Sequence, residues 1–376
     1  MTEPIGVGLI GANPRTAWAA FAHIPALQAL PQFELRALAT SRPESAAEAE
    51  QAFGVKTYVG HEGVLSHPGV DLVVVAVRTP NHKAVLQDVL AAGKDVYCEW
   101  PLGNGAAEAA ELNAAAEQAG VRTFMGLQAR SSPPLQHMRE LIADGYVGRV
   151  LSTSMVGTCW VYGASTMANN AYQLQKANGA SMLTIQVAHA YDAMGYVLGQ
   201  ELSDVVASFA TVRPQVTVEE TGETLASEVP DQIALSGVLE GGGVASLHVK
   251  GGLSRASNMQ WVVSGDEGDL LLDGTGIHLS TDDAGPPRLL GARGEATAVE
   301  PLELPAKHRW IPDEIGPGPA QNVAQHYALV AKDLREGTQE VPSFAHAVRR
   351  QTQIELIDGA NASGERRALD AAAATA

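Results

Sequence analysis

The sequence has little cysteine and no long apolar stretch. Its two cysteines, Cys98 and Cys159, stand far apart, which excludes a disulfide framework and a CxxC metal or redox pair. No run of about 18 apolar residues occurs, which excludes a membrane-spanning helix. The first strand is predicted to begin at Ile5, which leaves no room for a signal peptide. We therefore expect a cytoplasmic protein with neither a membrane contact nor a metal site.

Basic residues are also scarce. Lysine and arginine total 25 against 42 aspartates and glutamates, so the formal net charge is −17. Nucleic-acid binders normally carry the opposite balance, because contacts to phosphate supply most of their affinity. An acidic surface also repels anionic lipid. The charge excludes nucleic acid and membranes as expected partners and leaves a small neutral substrate open.

The 376 residues are enough for about two domains. Residues 1–128 alternate short apolar runs with helical segments, which predicts a doubly wound parallel sheet. Within them, Val70–Val77 is typical of a strand buried on both faces, and Thr16–Leu30 has the spacing of a single helix.

Residues 129–376 have a different pattern, which predicts an α+β domain. A long helix is predicted over Asn178–Leu198, and mostly antiparallel strands follow it. Ile277–Ser280 is predicted as one of these strands. Residues 282–318 are rich in glycine, proline and charge, so we expect little regular structure there.

A glycine-containing turn follows the first predicted strand. In Gly6-Val7-Gly8-Leu9-Ile10-Gly11-Ala12-Asn13, backbone amides at the strand–helix turn can hold a pyrophosphate. The GxGxxG pattern is broken, since Asn13 and Thr16 replace the glycines that would follow Gly11. Asparagine tolerates a positive φ, and Thr16 is small enough for close packing. An ordinary strand–helix turn is the alternative. The predicted cofactor contacts here are Gly11, Ala12, Asn13, Arg15 and Thr16.

The second predicted strand lacks the terminal carboxylate that usually holds the ribose of NAD. The chain there is Ala39-Thr40-Ser41-Arg42. A hydroxyl beside a guanidinium suits a 2′-phosphate, which arginine can bind through two hydrogen bonds. We therefore predict NADP ahead of NAD, with Ser41 and Arg42 as contacts. A solvated loop charge is the alternative role for Arg42.

Two further motifs follow the fourth and fifth predicted strands, Thr79-Pro80-Asn81-His82 and Glu99-Trp100-Pro101. With the glycine turn, they resemble the Gfo/Idh/MocA family, which contains glucose–fructose oxidoreductase and inositol dehydrogenase. The resemblance implies a Rossmann domain followed by a domain with a large, open, mostly antiparallel sheet that supports homodimers or homotetramers. The cofactor contacts it implies are Arg78, Thr79, Pro80, Asn81, His82, Glu99, Trp100 and Gln128.

Within this family, the likeness is strongest to the subgroup that contains the fungal galactose-pathway repressor and its bacterial relatives. That repressor also has asparagine after Gly11-Ala12 and Glu-Trp where this chain has Glu99-Trp100. It binds the dinucleotide without turnover and also binds an activator protein. The resemblance therefore leaves both an enzyme and a sensor open.

Active members of the family carry Glu-Lys-Pro and a later Asp-x-x-x-His. Here Trp100 replaces the lysine and Ile185 replaces the aspartate, while His189 remains. Oxidation of an alcohol needs a group that takes the hydroxyl proton, and histidine titrates near neutrality. The resemblance implies that His189 is this acid/base. A helix histidine held by local hydrogen bonds is the alternative.

Other residues are candidates around this histidine. Lys250 ends a strand whose alternation puts it on one face with His248, so it is either a substitute for the missing lysine or a solvated strand end. The indole of Trp100 can only donate a hydrogen bond, so Trp100 is either an apolar wall or packing. Tyr172 is a second assisting group or rim packing. The predicted substrate contacts are Trp100, Tyr162, Lys176, Gln186 and Arg130.

Three functions follow from these patterns. The first is an NAD(P)-dependent oxidoreductase acting on a hydroxyl or carbonyl of a sugar, polyol or glycoside. The second is a dinucleotide-binding transcriptional regulator without catalysis. The third is a carbohydrate-binding scaffold that no longer holds a nucleotide.

Overall fold

The computed structural model describes residues 3–279 and 285–369. The chain divides into two compact units. The first contains Met1–Ser131 and Trp310–Val348, and the second contains Ser132–Arg309 and Arg349–Ala376. The predicted division assigned residues 1–128 to one domain and residues 129–376 to the other. In the structure, residues 310–348 belong to the first unit.

Strands and helices alternate along the first part of the chain, and strands dominate the second. The strands are β1 (Ile5–Ile10), β2 (Phe33–Thr40), β3 (Thr57–Val59), β4 (Leu72–Val75), β5 (Asp95–Glu99), β6 (Thr123–Gly126), β7 (Val150–Cys159), β8 (Ser165–Thr166), β9 (Asp204–Ala210), β10 (Gln215–Val218), β11 (Thr224–Ala226), β12 (Gln232–Val238), β13 (Val244–Gly251), β14 (Met259–Gly265), β15 (Gly268–Gly274), β16 (Arg288–Arg293), β17 (Glu300–Pro301) and β18 (Arg367–Ala368). The helices are α1 (Trp18–Phe21), α2 (His23–Ala29), α3 (Pro43–Phe53), α4 (Glu62–Leu65), α5 (His82–Ala91), α6 (Ala106–Ala119), α7 (Pro133–Ala143), α8 (Ala188–Leu198), α9 (Pro319–Glu336) and α10 (Phe344–Ser363). Across the described residues, no helix has the length and apolar character needed to cross a membrane.

A six-stranded parallel sheet forms the centre of the first unit, with the strand order β3-β2-β1-β4-β5-β6. All four residues of β4 are buried, as its Val/Leu run predicts. Ile10 at the end of β1 pairs with Ala39 of β2 and with Val75 of β4. The strand order reverses between β1 and β4, and ligands of such sheets bind at the carboxyl ends of the strands near this reversal. The predicted doubly wound sheet is confirmed.

Residues 310–348 complete the first unit. Tyr327 and Val330 of α9 are buried in the same core as Leu27 of α2. Beyond α9, the amide of Met125 in the edge strand β6 donates a hydrogen bond to Pro342 O at 2.7 Å. This returning segment therefore covers the sheet edge that β6 would otherwise expose.

A nine-stranded mixed sheet forms the centre of the second unit, in the order β17-β16-β15-β14-β7-β13-β12-β9-β18. Among its described pairings, β7 with β13 is parallel and the others are antiparallel. A small sheet, β11-β10-β8, lies in the same unit. The predicted large and mostly antiparallel sheet is confirmed. Along β13, Leu247 and Val249 are buried, whereas His248 and Lys250 lie on the half-exposed face.

Two predicted helices are interrupted. Thr16–Leu30 was predicted as one helix, but it forms α1 and α2 with a break at Ala22. Asn178–Leu198 is also wrong as a single helix, because Gly179 adopts a left-handed φ of +67°. A π-helical turn, Leu183–Val187, then leads into α8.

The region after β15 also differs from the prediction. Residues 277–279 form a turn instead of the predicted strand, and Ser280 lies outside the described residues. The segment 282–318 was expected to have little regular structure. Its described part contains β16 and β17, which extend the large sheet by pairing with β15 and with each other.

A buried arginine connects the helices of the second unit. Arg350 of α10 is fully buried, and its Nε donates to Asp192 Oδ1 of α8 at 3.2 Å. Its two terminal nitrogens donate to the Glu201 carboxylate at 2.8 and 2.9 Å. The guanidinium also lies 4.6 Å from the ring centre of Tyr191. These contacts compensate a charge that burial alone would make costly.

Replacing Arg350 with alanine is expected to lower the free energy of unfolding by about 3–5 kcal/mol, because Asp192 stays buried without its counter-charge. Urea unfolding followed by circular dichroism measures the change. The matched control is Arg366→Ala, which removes an exposed ion pair to Asp204 and should cost less than about 1 kcal/mol. Equal losses in the two variants would contradict this role of Arg350.

Candidate functional site

Gly11 turns the chain out of β1. Its φ is +107°, which side chains rarely adopt, and a Cβ there would lie 2.6 Å from Ala76 O. The amides of Gly11 and Ala12 donate to Ala39 O of β2, both at 3.0 Å. Glycine is therefore required at the tight part of the predicted nucleotide turn.

Asn13 holds the next part of this turn. Its Oδ1 accepts hydrogen bonds from the amides of Arg15 at 3.0 Å and Thr16 at 3.2 Å. A glycine would lack these bonds, which is a physical reason for asparagine at this position. The Arg15 side chain is engaged elsewhere, since its guanidinium pairs with Glu48 of α3 at 2.9 and 2.5 Å.

The chain after β2 presents an exposed cation. Thr40 Oγ1 donates to Arg42 O at 3.1 Å, and Ser45 Oγ lies 3.0 Å from both of these oxygens. These hydroxyl contacts fix the main chain at Arg42, and the side chains of Ser41 and Arg42 are exposed. For residues 3–279 and 285–369, we find no ion pair that engages the Arg42 guanidinium. An anionic ligand can therefore reach this charge.

The Thr79 motif forms a short 3₁₀ turn, Thr79–Asn81, before α5. Arg78, Pro80 and Asn81 are exposed there, whereas Thr79 and His82 are buried. The two nitrogens of His82 lie 2.9 Å from Val77 O and 2.9 Å from Pro101 O. Burial lowers the pKa of His82. Its ring thus links the turns after β4 and β5 and offers no ring nitrogen to a ligand.

Glu99, at the end of β5, collects hydrogen bonds from three segments of the first unit. Its Oε1 lies 3.1 Å from His23 Nε2, 2.5 Å from Gln128 Nε2 and 3.4 Å from Tyr97 OH. A carboxylate only accepts hydrogen bonds, so His23 donates through Nε2 and its Nδ1 faces Tyr327 OH at 2.7 Å. Two predicted cofactor contacts, Glu99 and Gln128, are therefore bonded to each other.

Aromatic rings surround this carboxylate. Tyr97 lies edge-on to His23 and to His326, with ring centres 5.5 and 5.8 Å apart. Burial, and then the charge of Glu99, raise the pKa of Tyr97 well above its usual value. Burial lowers the pKa of His326 to about 4. Both groups are thus uncharged at neutral pH.

Trp100 follows Glu99 and is 5% exposed. A cis peptide joins it to Pro101. Its indole has no group that accepts a proton. The position that carries lysine in the family's Glu-Lys-Pro motif is thus occupied by a buried aromatic ring.

His189 is the second residue of α8, directly after the π-helical turn. In this turn the amide of Val187 donates to Met182 O, five residues back, at 2.9 Å. The additional residue changes the helical register, so Ile185 does not lie one regular α-turn before His189. Gln186, a predicted substrate contact, is buried and its Oε1 has no hydrogen-bond partner.

His278 lies beside His189, with ring centres 6.4 Å apart. Burial, and secondarily the neighbouring His189, lower the pKa of His278 to about 4. His278 is therefore neutral at neutral pH. The sequence analysis missed it, because its segment was assigned to a strand and no motif marks it.

The other predicted contacts of the second unit are spread over different surroundings. Tyr162 is buried and donates to Gln173 Oε1 at 2.8 Å, and burial raises its pKa. Tyr172 is half-buried. Lys176 is exposed and lies 3.8 Å from Asp358. Lys250 lies on the half-exposed face of the sheet, as does His248. Burial, and secondarily the charge of Lys250, lower the pKa of His248.

The first unit brings its candidates to one edge of its sheet. The carboxyl ends of the parallel strands meet at this edge. The candidates lie at the end of a strand or just after it: Gly11 after β1, Arg42 after β2, Thr79 after β4, Glu99 at the end of β5 and Gln128 after β6. Arg130, in the turn after β6, donates a hydrogen bond from Nη2 to His346 Nε2 at 2.9 Å. The sequence analysis missed His326 and Tyr327 around Glu99. The sequence offers no clear signal for them, because the buried residues of α9 also include Asn322, Gln325 and Asp333.

Comparison with known proteins shows the family. Residues 5–127 match the family described as "Oxidoreductase family, NAD-binding Rossmann fold", and residues 133–274 match "Gal80p, C-terminal domain". Dehydrogenase aclE of Aspergillus oryzae is 30% identical over 307 residues, which cover 77% of this chain and 81% of that protein. The chain belongs to the Gfo/Idh/MocA oxidoreductase family. The predicted resemblance is confirmed.

This Gfo/Idh/MocA protein is similar to regulators as well as to dehydrogenases. The galactose/lactose metabolism regulatory protein GAL80 of Saccharomyces cerevisiae is 29% identical over 291 residues, covering 72% of this chain and 67% of that protein. The structure of a super-repressor mutant of Gal80p from Saccharomyces cerevisiae has a TM-score of 0.86 at 23% identity and covers 98% of each chain. Levoglucosan dehydrogenase in complex with NADH and L-sorbose has a TM-score of 0.84 at 21% identity, covering 98% of this chain and all of that one. The fold is thus shared with both groups.

Proposed function

We propose that this protein is a nicotinamide-dependent oxidoreductase that acts on a hydroxyl or carbonyl of a sugar, polyol or glycoside. The observation that carries the proposal is His189, half-buried at the start of α8 beside a neutral histidine. The similarity to dehydrogenase aclE and to levoglucosan dehydrogenase supports the reaction class and the substrate class.

The first unit fits a dinucleotide. Gly11 permits the tight turn out of β1, because its φ of +107° and the nearby Ala76 O leave no room for a Cβ, and such a turn is where the pyrophosphate binds in this fold. Exposed segments at the carboxyl ends of β2 and β4 offer Ser41, Arg42, Arg78 and Asn81 to the remainder of the molecule. Glu99 lies at the end of β5 on the same edge. When bound, the nicotinamide would accept or supply the hydride.

His189 would carry the proton in this reaction. Oxidation removes a hydride from the carbinol carbon and a proton from the hydroxyl oxygen, and His189 would accept that proton. In the reverse direction, the same imidazole would return the proton to the carbonyl oxygen. Gln186 Oε1, a buried acceptor without a partner, would accept a hydrogen bond from a second substrate hydroxyl. Trp100 contributes no proton chemistry and would act as an apolar surface.

The proposal is tested by titrating the protein with NADPH and NADH by fluorescence, and then by assaying sugars, polyols and keto-sugars in the same sample. We expect tight binding of one dinucleotide and turnover of at least one substrate. Binding without turnover on a broad panel would favour the regulator. If neither dinucleotide binds, both of these functions are excluded and the carbohydrate-binding scaffold is favoured.

His189→Ala is expected to lower kcat by about 10²–10⁴-fold, because the proton acceptor is lost. Dinucleotide affinity should stay within about threefold of the wild type, because the proposed dinucleotide contacts lie in the first unit and His189 lies in the second. Steady-state kinetics and fluorescence titration measure the two quantities. His61→Ala, at a histidine paired with Asp88 in the first unit, is the matched control. Turnover retained in His189→Ala would remove His189 from the proton transfer.

Arg42→Ala is expected to weaken NADPH binding by roughly 10- to 100-fold and to leave NADH binding nearly unchanged, because it removes a charge-assisted contact to the 2′-phosphate. Arg36→Ala, which removes an exposed arginine paired with Glu34 in the same β2 strand, should change neither affinity. The proposed preference for NADP would be refuted by equal losses for the two dinucleotides.

A second candidate function is a catalytically silent, dinucleotide-binding regulator. The specific observation in its favour is Trp100, a buried ring where the family motif has its lysine. The similarity to GAL80 over 72% of the chain supports it as well. Such a protein would retain the nucleotide turn of the first unit and would act through a protein partner.

We also propose that the large sheet mediates a homodimer or homotetramer. Val156, Val262 and Leu271 lie near the middle of its half-exposed face, and Val156 is 41% exposed. Val156→Glu should lower the mass found by light scattering, because a charge desolvated in such an interface is costly. Val212→Glu, at a valine that is 65% exposed outside that sheet, should leave the mass unchanged. An unchanged mass in folded Val156→Glu would contradict this interface.

A further inference from the structure

Three side chains of the types that bind metals meet in the second unit. His137 and Glu140 lie on α7, and His308 ends the 3₁₀ turn Ala306–His308. Because His137 and Glu140 are three residues apart on a helix, their side chains share one face. One donor atom of each residue lies within 4.8 Å of the donor atoms of the other two.

The spacing of these atoms suits a small cation. Glu140 Oε2 lies 3.6 Å from His137 Nδ1 and 3.1 Å from His308 Nε2. A tetrahedral zinc ion with bonds of about 2.1 Å holds its ligand atoms about 3.4 Å apart. The ligand set therefore needs little rearrangement to surround an ion.

One of the donor atoms has no hydrogen-bond partner. His137 Nδ1 is buried, and Glu140 Oε2, at 3.6 Å, lies just beyond hydrogen-bond distance from it. A buried polar atom without a partner is unfavourable, and coordination to a metal would remove this cost. The side chains of His137 and His308 are 12% and 10% exposed, so bulk water has little access to the two imidazoles, whereas Glu140 is 33% exposed.

The two carboxylate oxygens of Glu140 have different neighbours because of Lys307. Its Nζ forms an ion pair with Glu140 Oε1, which leaves Oε2 facing the two imidazoles. The carboxylate is thus arranged to bind through one oxygen. The ammonium group also places a positive charge near the cluster, which should weaken the binding of a cation.

We propose that His137, Glu140 and His308 bind one divalent transition-metal ion, and that zinc is the ion. Two imidazoles and one carboxylate are a ligand set that zinc accepts, with a fourth position left for water. The ion would connect α7 to the 3₁₀ turn Ala306–His308, and these two parts of the second unit are distant in sequence. No metal site was expected from the sequence, because it has no cysteine pair with metal-binding spacing and these three ligands come from two remote segments.

The test is isothermal titration of untagged, chelator-treated protein with zinc chloride at neutral pH. The wild type should bind one zinc ion that Glu140→Gln and His137→Ala bind at least about tenfold more weakly. Glu140→Gln preserves the side-chain shape, so it tests the charge without a cavity. Lys307→Met should bind zinc more tightly than the wild type, because it removes the nearby positive charge.

His61→Ala is the matched control, since it also removes an imidazole beside a carboxylate, 2.8 Å from Asp88, but lies outside the cluster. It should retain the zinc ion, and circular dichroism should show that all variants are folded. The proposal is overturned if the wild type binds no zinc, or if Glu140→Gln and His137→Ala bind it as the wild type does. The three residues would then form an ion-pair network only.

Discussion

The carboxylate of Glu99 is the constraint on which the candidate nucleotide edge depends. It is 17% exposed, so it needs hydrogen-bond donors, and these come from α2, from β5 itself and from the turn after β6. Gly126 makes this possible, because a Cβ there would lie 2.5 Å from Glu99 Oε1. Satisfying one charge therefore fixes segments that are far apart in the sequence. The position of Trp100, the next residue, follows from the same contacts.

Dinucleotide binding and proton transfer place different demands on the chain. Binding through backbone amides depends on the conformation of the turn, so Asn13 can replace a glycine when its side chain supplies two local hydrogen bonds. Proton transfer depends on a titratable group at one place, and Trp100 has none. The first unit can therefore be nearly the same in a dehydrogenase and in a regulator. Under the two proposed functions, the difference would rest on Trp100 in the first unit and on His189 in the second.

The fold could be predicted where local pattern and tertiary burial agree. The Val/Leu run around β4 signalled a buried parallel strand, and all of β4 is buried. Prediction failed where one residue overrides the pattern, as at Gly179, whose left-handed conformation ends the helix expected from residue 178. Contacts between remote segments could not be predicted, because nothing near His278 or His308 in the sequence marks their partners. The family motif located His189, but it did not reveal the π-helical turn before it.

The neutral state of His278 bears on the missing lysine. In the family motif, a lysine ammonium can donate hydrogen bonds to a substrate oxygen. Its replacement by Trp100 removes an ammonium donor and leaves His189 as the proposed proton acceptor. Burial keeps His278 uncharged at neutral pH, so this ring places no positive charge beside His189. A neutral imidazole also has one N–H to donate. In the proposed reaction, His189 would accept the hydroxyl proton, and His278, whose ring centre lies 6.4 Å from that of His189, is a candidate donor.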